Sequence, residues 1–145
     1  MKKSIRGFTI VELLIVIVVI AILAAITIVA YNGIQVRARD SARDSALNSL
    51  KKSIELYNAQ NGSYPAPSSC ISMGCTVSNL STYLVPTFTN TVPDDPSAPT
   101  KHIYYVTNPT YTGYGLYVQN YEGKTPCKYI SPNGTAGWWD GVPIC

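Results

Sequence analysis

The sequence predicts an α+β protein in which one long N-terminal helix packs, through its second half, on a small antiparallel sheet. No proline occurs between Phe8 and Gly62, and Gly33 is the only glycine inside that stretch. Nothing strong therefore interrupts a helix of about fifty residues. Short runs of aromatic and aliphatic residues beyond residue 100 are typical of strands. The length of 145 residues suffices for one small domain and excludes a second, enzymatic one.

The first half of the predicted helix, residues 8–31, is almost wholly apolar. About 20 such residues cross the roughly 30 Å hydrocarbon core of a bilayer, and the run is longer than the apolar part of an ordinary secretory signal. Lys2, Lys3 and Arg6 precede it and predict a cytoplasmic N-terminus. Because exposed Ile and Val are unfavourable for a lone chain in water, we expect this half to protrude, first into membrane lipid and later against copies of itself.

The composition argues against several function classes. Lys2, Lys3 and Arg6 account for the net charge of +3, and without them the basic and acidic side chains balance, so no nucleic-acid surface is predicted. His102 is the single histidine, and no Ser, His and Asp constellation is suggested by the motifs. We therefore predict no enzyme, no catalytic residue and no cofactor.

Glu12 is an acidic residue within the apolar run. A carboxylate without a partner is expensive in lipid. Either it lies close enough to the interface to be solvated or neutralised, or it pairs with a cation from another chain. A free α-amino group created just upstream would be such a cation.

Residues 2–14, KKSIRGFTIVELL, resemble the class III leader of type IV pilins and pseudopilins: a short basic leader, a glycine, a phenylalanine and a glutamate at the fifth mature position. The resemblance implies that prepilin peptidase cuts between Gly7 and Phe8 and methylates the new N-terminus. It also implies that Glu12 meets the amino group of a neighbouring Phe8, and that an inner-membrane assembly platform builds a helical homopolymer. The alternative is an ordinary signal-peptidase cut near residues 24–25, which leaves Glu12 without a role.

The second half of the helix, residues 32–60, mixes charges with apolar residues at spacings of three and four, which predicts a face that docks on the sheet. The apolar residues of this stripe are Leu47, Leu50, Ile54 and Tyr57. Many type IV pilins carry a proline or glycine in the apolar half, and this chain departs from that pattern. Gly33 is the one candidate hinge, and a helix C-cap is its alternative role.

Residues 61–145 are expected to form a globular, β-rich head, giving the family's pilin fold. Turn residues at 61–65 end the helix, and five further prolines break residues 66–99 into a long loop with short pieces. Three or four antiparallel strands are predicted, with runs at residues 103–106, 114–121 and 127–130.

The sequence Val-Pro-Asp-Asp-Pro at residues 92–96, followed by Ile-Tyr-Tyr-Val at 103–106, is similar to a Pro-x-Asp-Pro…Tyr-x-Tyr element of pseudopilins and several pilins. Some family members bind calcium in this region, so the resemblance makes Asp94 and Asp95 possible calcium ligands. The alternative is that both residues only shape turns beside proline.

The four cysteines of the head predict disulfides, because an exported chain meets oxidant. Four cysteines permit three pairings, and zinc is the alternative interpretation. The resemblance to the disulfide-bounded C-terminal region of pilins favours Cys70 with Cys75 and Cys127 with Cys145, the second pair fastening the C-terminus.

The sequence therefore predicts the structural subunit of an extracellular type IV pilus, serving adhesion or motility and made as a single-pass precursor in the cytoplasmic membrane. Residues 1–7 are its cleaved leader. One alternative is a pseudopilin of a type II secretion or DNA-uptake machine, and another is a membrane-anchored binding protein that never polymerises. Trp138 and Trp139 are either an adhesive surface or part of the core.

Overall fold

The structure, a computed structural model, describes residues 7–134 and 137–145, without the side chains of residues 29, 30 and 138. The leader residues Lys2, Lys3 and Arg6 lie outside this description. The chain divides into two compact units, Met1–Val36 and Arg37–Cys145.

The predicted long helix is confirmed. Helix α1 spans Ile10–Asn61, a length of 52 residues. It ends where Gly62 takes a φ of 72° and donates its N–H to the Asn58 carbonyl at 2.8 Å, a left-handed termination that glycine adopts without strain. Gly33 is no C-cap, because the helix continues through it.

In the part of the chain that the structure describes, the sheet has four antiparallel strands in the order β1-β2-β3-β4. They are β1 Cys75–Thr76, β2 Ile103–Thr107, β3 Tyr114–Val118 and β4 Cys127–Ile130. The segment before β2 holds short pieces, as predicted, including a four-residue helix α2 at Ser81–Leu84.

Strand β3 ends three residues earlier than predicted, because the chain beyond Val118 turns to bond with α1. Tyr121 donates its hydroxyl to Asp44 Oδ1 at 2.6 Å. The next two backbone N–H groups, of Glu122 and Gly123, donate to the Asp40 carboxylate at 3.0 and 2.7 Å. These bonds replace the ladder bonds that a longer strand would make.

One face of the sheet packs on the apolar stripe of α1, as the helical spacing predicted. Leu47, Leu50 and Ile54 are buried in one cluster with Leu116 and Val118 of β3. The stripe therefore places the Arg37–Asn61 part of the helix directly over the sheet.

The other face is also covered, which the sequence did not reveal: all five β3 residues are buried. The Trp139 ring stacks on Tyr117, with centroids 5.2 Å apart, and a Cβ on Gly74 would lie 2.7 Å from the same indole. Because Trp139 is only 2% exposed, it forms no adhesive surface. The side chain of Trp138 lies outside the described residues.

Candidate functional site

The proposed cleavage bond lies just before α1. Gly7 and Phe8 are both exposed and outside regular secondary structure. Phe8 is 81% exposed. Among the described residues, no atom other than those of Gly7 and its chain neighbours lies within 4 Å of the position that a Cβ on Gly7 would take. A protease that binds its substrate in extended form needs such an accessible, unhindered bond.

Glu12 closes the N-terminus of α1 through a capping box with Thr9. Its Oε2 accepts the Thr9 backbone N–H at 2.9 Å and the Thr9 hydroxyl at 2.7 Å. In return, the Glu12 N–H donates to Thr9 Oγ1 at 3.3 Å. This reciprocal arrangement satisfies donors that a helix start otherwise leaves unpaired.

The capping box shows that Glu12 has a hydrogen-bond partner within its own chain, whereas the sequence analysis expected a partner only from outside it. Thr9 supplies hydrogen bonds to the carboxylate within the chain, and the Thr-x-x-Glu spacing was the signal that could have shown it. Hydrogen bonds from a neutral threonine do not cancel the negative charge, so a cation still gains from approaching Glu12 in a dry environment.

The helix surface that follows is apolar and uncovered in the single chain. Ile, Val and Leu side chains from Ile10 to Ile28 are about half or more exposed wherever their side chains are described. Among the described residues, α1 is long and apolar enough to cross a membrane by length and composition.

A buried group of charges, which we call the Arg43 cluster, ties three segments of the Arg37–Cys145 unit together. The Arg43 side chain has no exposed surface and bonds to Asp40 at 2.8 Å, Asp95 at 2.9 Å and Glu122 at 3.1 Å. Arg39 adds a two-pronged contact to Glu122, at 2.8 and 2.5 Å. The cluster joins α1 to the loop before β2 and the loop after β3.

The ion pairs and hydrogen bonds of the Arg43 cluster lower the pKa values of its carboxyl groups. Burial disfavours the charged form of Asp95, but bonds from Arg43 and the Ser97 N–H outweigh it and hold the pKa of Asp95 below its usual value. The pKa of Asp40 is also below its usual value. Burial raises it, but hydrogen bonds from the N–H groups of the β3–β4 loop and from Arg43 outweigh this effect. The hydrogen bond from Arg39 lowers the pKa of Glu122 from 4.5 to about 2.

We expect the contribution of Glu122 to stability to disappear in acid. Its folded pKa is lowered, so this contribution is complete above pH 4.5 and is lost as the pH falls towards 2. Unfolding of the full chain in detergent, compared with Glu122→Gln between pH 6 and pH 2, measures it. The two proteins should differ at pH 6 and converge at pH 2. A gap that stays constant over this range would show that the carboxylate is not stabilised by its ion pairs.

Asp94 and Asp95, the possible calcium ligands, lie side by side but serve different partners. Asp94 accepts the backbone N–H groups of Asp95 and Ile103 at 2.8 and 2.7 Å and lies 2.7 Å from His102 Nδ1. Asp95 binds Arg43. Within residues 7–134 and 137–145, no three His, Cys, Asp or Glu side chains gather as a metal site would require, and calcium binding stays a prediction.

The cysteines form two disulfides. Cys70 is bonded to Cys75 and Cys127 to Cys145, with Cα atoms 4.8 and 4.9 Å apart. This is the pairing that the resemblance favoured among the three possible ones. Zinc is excluded as the role of these four residues in the structure, because every sulfur is used in a disulfide.

Sequence reasoning missed the Arg43 cluster altogether. The spacing of Asp40, Arg43 and Asp44 on one helix indicates local ion pairs. However, Asp95 and Glu122 lie 52 and 79 residues further along the chain than Arg43, and no local pattern could have assigned them to it.

Comparison with known proteins finds a family motif at the N-terminus and two relatives that share about half of the chain. Residues 2–28 match the family described as a prokaryotic N-terminal methylation motif. The chain is 41% identical over 73 residues to the type IV wide pilus major component PilA4 of Thermus thermophilus, covering 50% of this chain and 56% of that protein. It is 34% identical over 77 residues to the fimbrial protein EcpC of Eikenella corrodens, covering 53% of this chain and 50% of that protein.

The chain thus spans about half the length of the curated relatives it matches. No solved structure matches it. The methylation motif includes Gly7, Phe8 and Glu12, and the long helix with its small antiparallel sheet agrees with a pilin-like α+β fold. The chain is therefore similar to type IV pilins in its N-terminal motif and in its fold, and the two relatives are a type IV pilus component and a fimbrial protein.

Proposed function

We propose that this protein is the structural subunit of an extracellular type IV pilus, made as a prepilin and polymerised through its apolar helix. The observation that carries the proposal is the exposed apolar surface of α1 with one carboxylate, Glu12, near its start. Neither a soluble binding protein nor a plain membrane anchor requires both features. A self-assembling helix uses the apolar surface for packing and the carboxylate for registration.

Each segment has a role in this proposal. Residues 1–7 are a leader that prepilin peptidase removes before methylating Phe8. Residues 8–31 lie in the cytoplasmic membrane before assembly and in the filament core afterwards, whereas residues 32–60 dock on the head formed by residues 61–145. An inner-membrane assembly platform transfers the subunit from lipid to the growing filament.

The energetics of packing favour the bundle over a lone helix once the subunit has left the lipid. Burying one Val, Leu or Ile side chain is worth about 1.5–3 kcal/mol relative to water, so uncovered helices outside lipid gain by bundling. In the bundle, the carboxylate of Glu12 pairs with the α-amino group of Phe8 from a neighbouring copy. Because the bundle is dry, this ion pair is stronger than it would be at a wet surface.

A second candidate function is that of a pseudopilin in a secretion or DNA-uptake machine, where the same subunits build a short piston. The feature behind it is the segment with Asp94 and Asp95 followed by Tyr104 and Tyr105, which resembles an element found in pseudopilins and also in several pilins. Electron microscopy of cells that overproduce the protein separates the two, because a pilus extends freely and a piston stays short.

Replacing Gly7 with valine tests the processing step. We expect uncleaved precursor to accumulate and filaments to be absent, since a branched side chain displaces the scissile bond and a displacement of about 1 Å costs on the order of 100-fold in rate. Intact mass and electron microscopy report the two effects. Ser4→Ala, in the same leader but away from the bond, is the matched control and should mature normally. Normal maturation of the Gly7→Val chain would contradict cleavage at this bond.

A further inference from the structure

The outer edge of β4 is not open, because residues 143–145 lie along it. The Lys128 N–H donates to the Pro143 carbonyl at 2.9 Å, and the Cys145 N–H donates to the Lys128 carbonyl at 2.8 Å. Lys128 and Ile144 form a parallel bridge. Residues 143–145, which we call the tail, thus form hydrogen bonds with backbone groups of β4. On an uncovered edge strand these groups are free to pair with a strand of another chain.

The two backbone bonds of the tail do not by themselves hold residues 143–145 in this position. Two hydrogen bonds contribute about 0.5–1.5 kcal/mol each, whereas ordering three residues costs about 1–2 kcal/mol each. The Cys127–Cys145 disulfide closes this deficit by fixing the tail beside β4. The Nζ of Lys128 adds a contact to the Asp140 backbone carbonyl. The side-chain Oδ1 of Asp140 lies 3.4 Å from the same nitrogen.

The opposite edge of the sheet, formed by β1, is protected from pairing in a different way. Strand β1 has only two residues, and Cys75 within it is bonded to Cys70. Such a short edge offers little for a new strand to pair with. Strand β4, with the four residues Cys-Lys-Tyr-Ile, is the longer edge and the one on which a cover matters.

We propose that the tail is an edge cover, held by the Cys127–Cys145 disulfide, that keeps β4 of one copy from pairing with β4 of a second copy. The backbone of Lys128 faces outward, and an antiparallel pair of these edges can centre on Lys128 or on Tyr129. The register centred on Tyr129 is the favourable one, because it does not place Lys128 opposite its own copy. That register sets the two Tyr129 rings opposite each other and Lys128 opposite Ile130. It combines an aromatic pair with no opposed like charges, which favours pairing.

This inference goes beyond the proposed function and does not depend on it. If copies do pack through α1, their heads are held at effective concentrations of about millimolar. Pairing through the sheet would then compete with packing through the helix, and a covered edge leaves the helix as the route of assembly.

The full chain in detergent, carrying Cys127→Ser with Cys145→Ser, tests the proposal. At low concentration the Lys128 amide should exchange with deuterium at least about tenfold faster than in the unaltered chain, since a free edge amide is unprotected. As concentration rises, a species of twice the mass should appear in light scattering and the protection should return. Cys70→Ser with Cys75→Ser is the matched control and should leave both readouts unchanged.

Two further chains guard against an effect on folding. A chain ending at Val142 with Cys127→Ser lacks the tail and should pair in the same way. Adding Lys128→Pro to the first variant removes the outward N–H donor, which an edge strand tolerates, and should restore the single copy. Unpaired variants with a freely exchanging Lys128 amide would overturn the proposal. So would a tail that stays protected without its disulfide, or loss of the β signal in both tail variants.

Discussion

Arg43→Met is expected to destabilise the Arg37–Cys145 unit by about 3–5 kcal/mol, the range found when one partner of a buried ion pair is removed. The Arg43 guanidinium is the shared partner of Asp40, Asp95 and Glu122. Without it, the Asp95 carboxylate, whose side chain has no exposed surface, stays buried without its cation. A small domain is stable by about 5–15 kcal/mol, so a loss of this size is a large fraction of the total.

Denaturant unfolding of the full chain in detergent, followed by near-UV circular dichroism, measures this loss. Arg37→Met is the matched control, because Arg37 lies on the same helix and is exposed, and it should change stability by less than about 0.5 kcal/mol. Adding Asp95→Asn to Arg43→Met should recover part of the loss, since it removes the uncompensated charge. A loss below about 1 kcal/mol would mean that the cluster is not what joins the three segments.

Glu12→Gln is expected to lower filament yield by about 100-fold or more, the order by which breaking a buried charge pair weakens an interface. Glutamine keeps an acceptor for the Thr9 N–H and hydroxyl, so the capping box is largely retained while the negative charge is lost. Thr9→Ala does the reverse, and it should cause only the loss typical of a helix cap, about 1 kcal/mol. The pair of variants separates the charge of Glu12 from its local structural role.

Sheared filaments quantified against total subunit in the membrane provide the readout. Val11→Ile, an apolar exchange beside Glu12, is the control and should assemble normally. If Glu12→Gln assembled as well as this control, registration by the carboxylate would be refuted. A chain that never polymerises would show no effect of any of these substitutions, as expected of a membrane-anchored binding protein.

The elements that the sequence predicted are those with a local signal. The helix followed from the absence of breakers between Phe8 and Gly62, and its docking face from the spacing of Leu47, Leu50 and Ile54, which are buried as expected. Three strands were located by their aromatic and aliphatic runs. The two-residue β1 is too short to show a period, so it had no such signal.

The features that escaped prediction depend on contacts between distant parts of the chain. The loop after β3 leaves the sheet and forms hydrogen bonds with Asp40, about eighty residues earlier in the sequence. The cover over the second sheet face comes from Trp139, in a Gly- and Pro-rich segment with no strand or helix periodicity. The capping box of Thr9 and Glu12 differs from these features, because its Thr-x-x-Glu spacing is a local signal in the sequence. It was missed because a partner for Glu12 was expected only from another chain.

The most direct measurement is the mass of the N-terminal peptide of the protein purified from cells that carry prepilin peptidase. We expect a chain that begins at Phe8 and carries one methyl group on its α-amino nitrogen. That result places a cation four residues before Glu12, at the position where a neighbouring copy can use it. A chain that still begins at Met1, or one that begins after Ala25 and lacks Glu12, would contradict assembly through this helix.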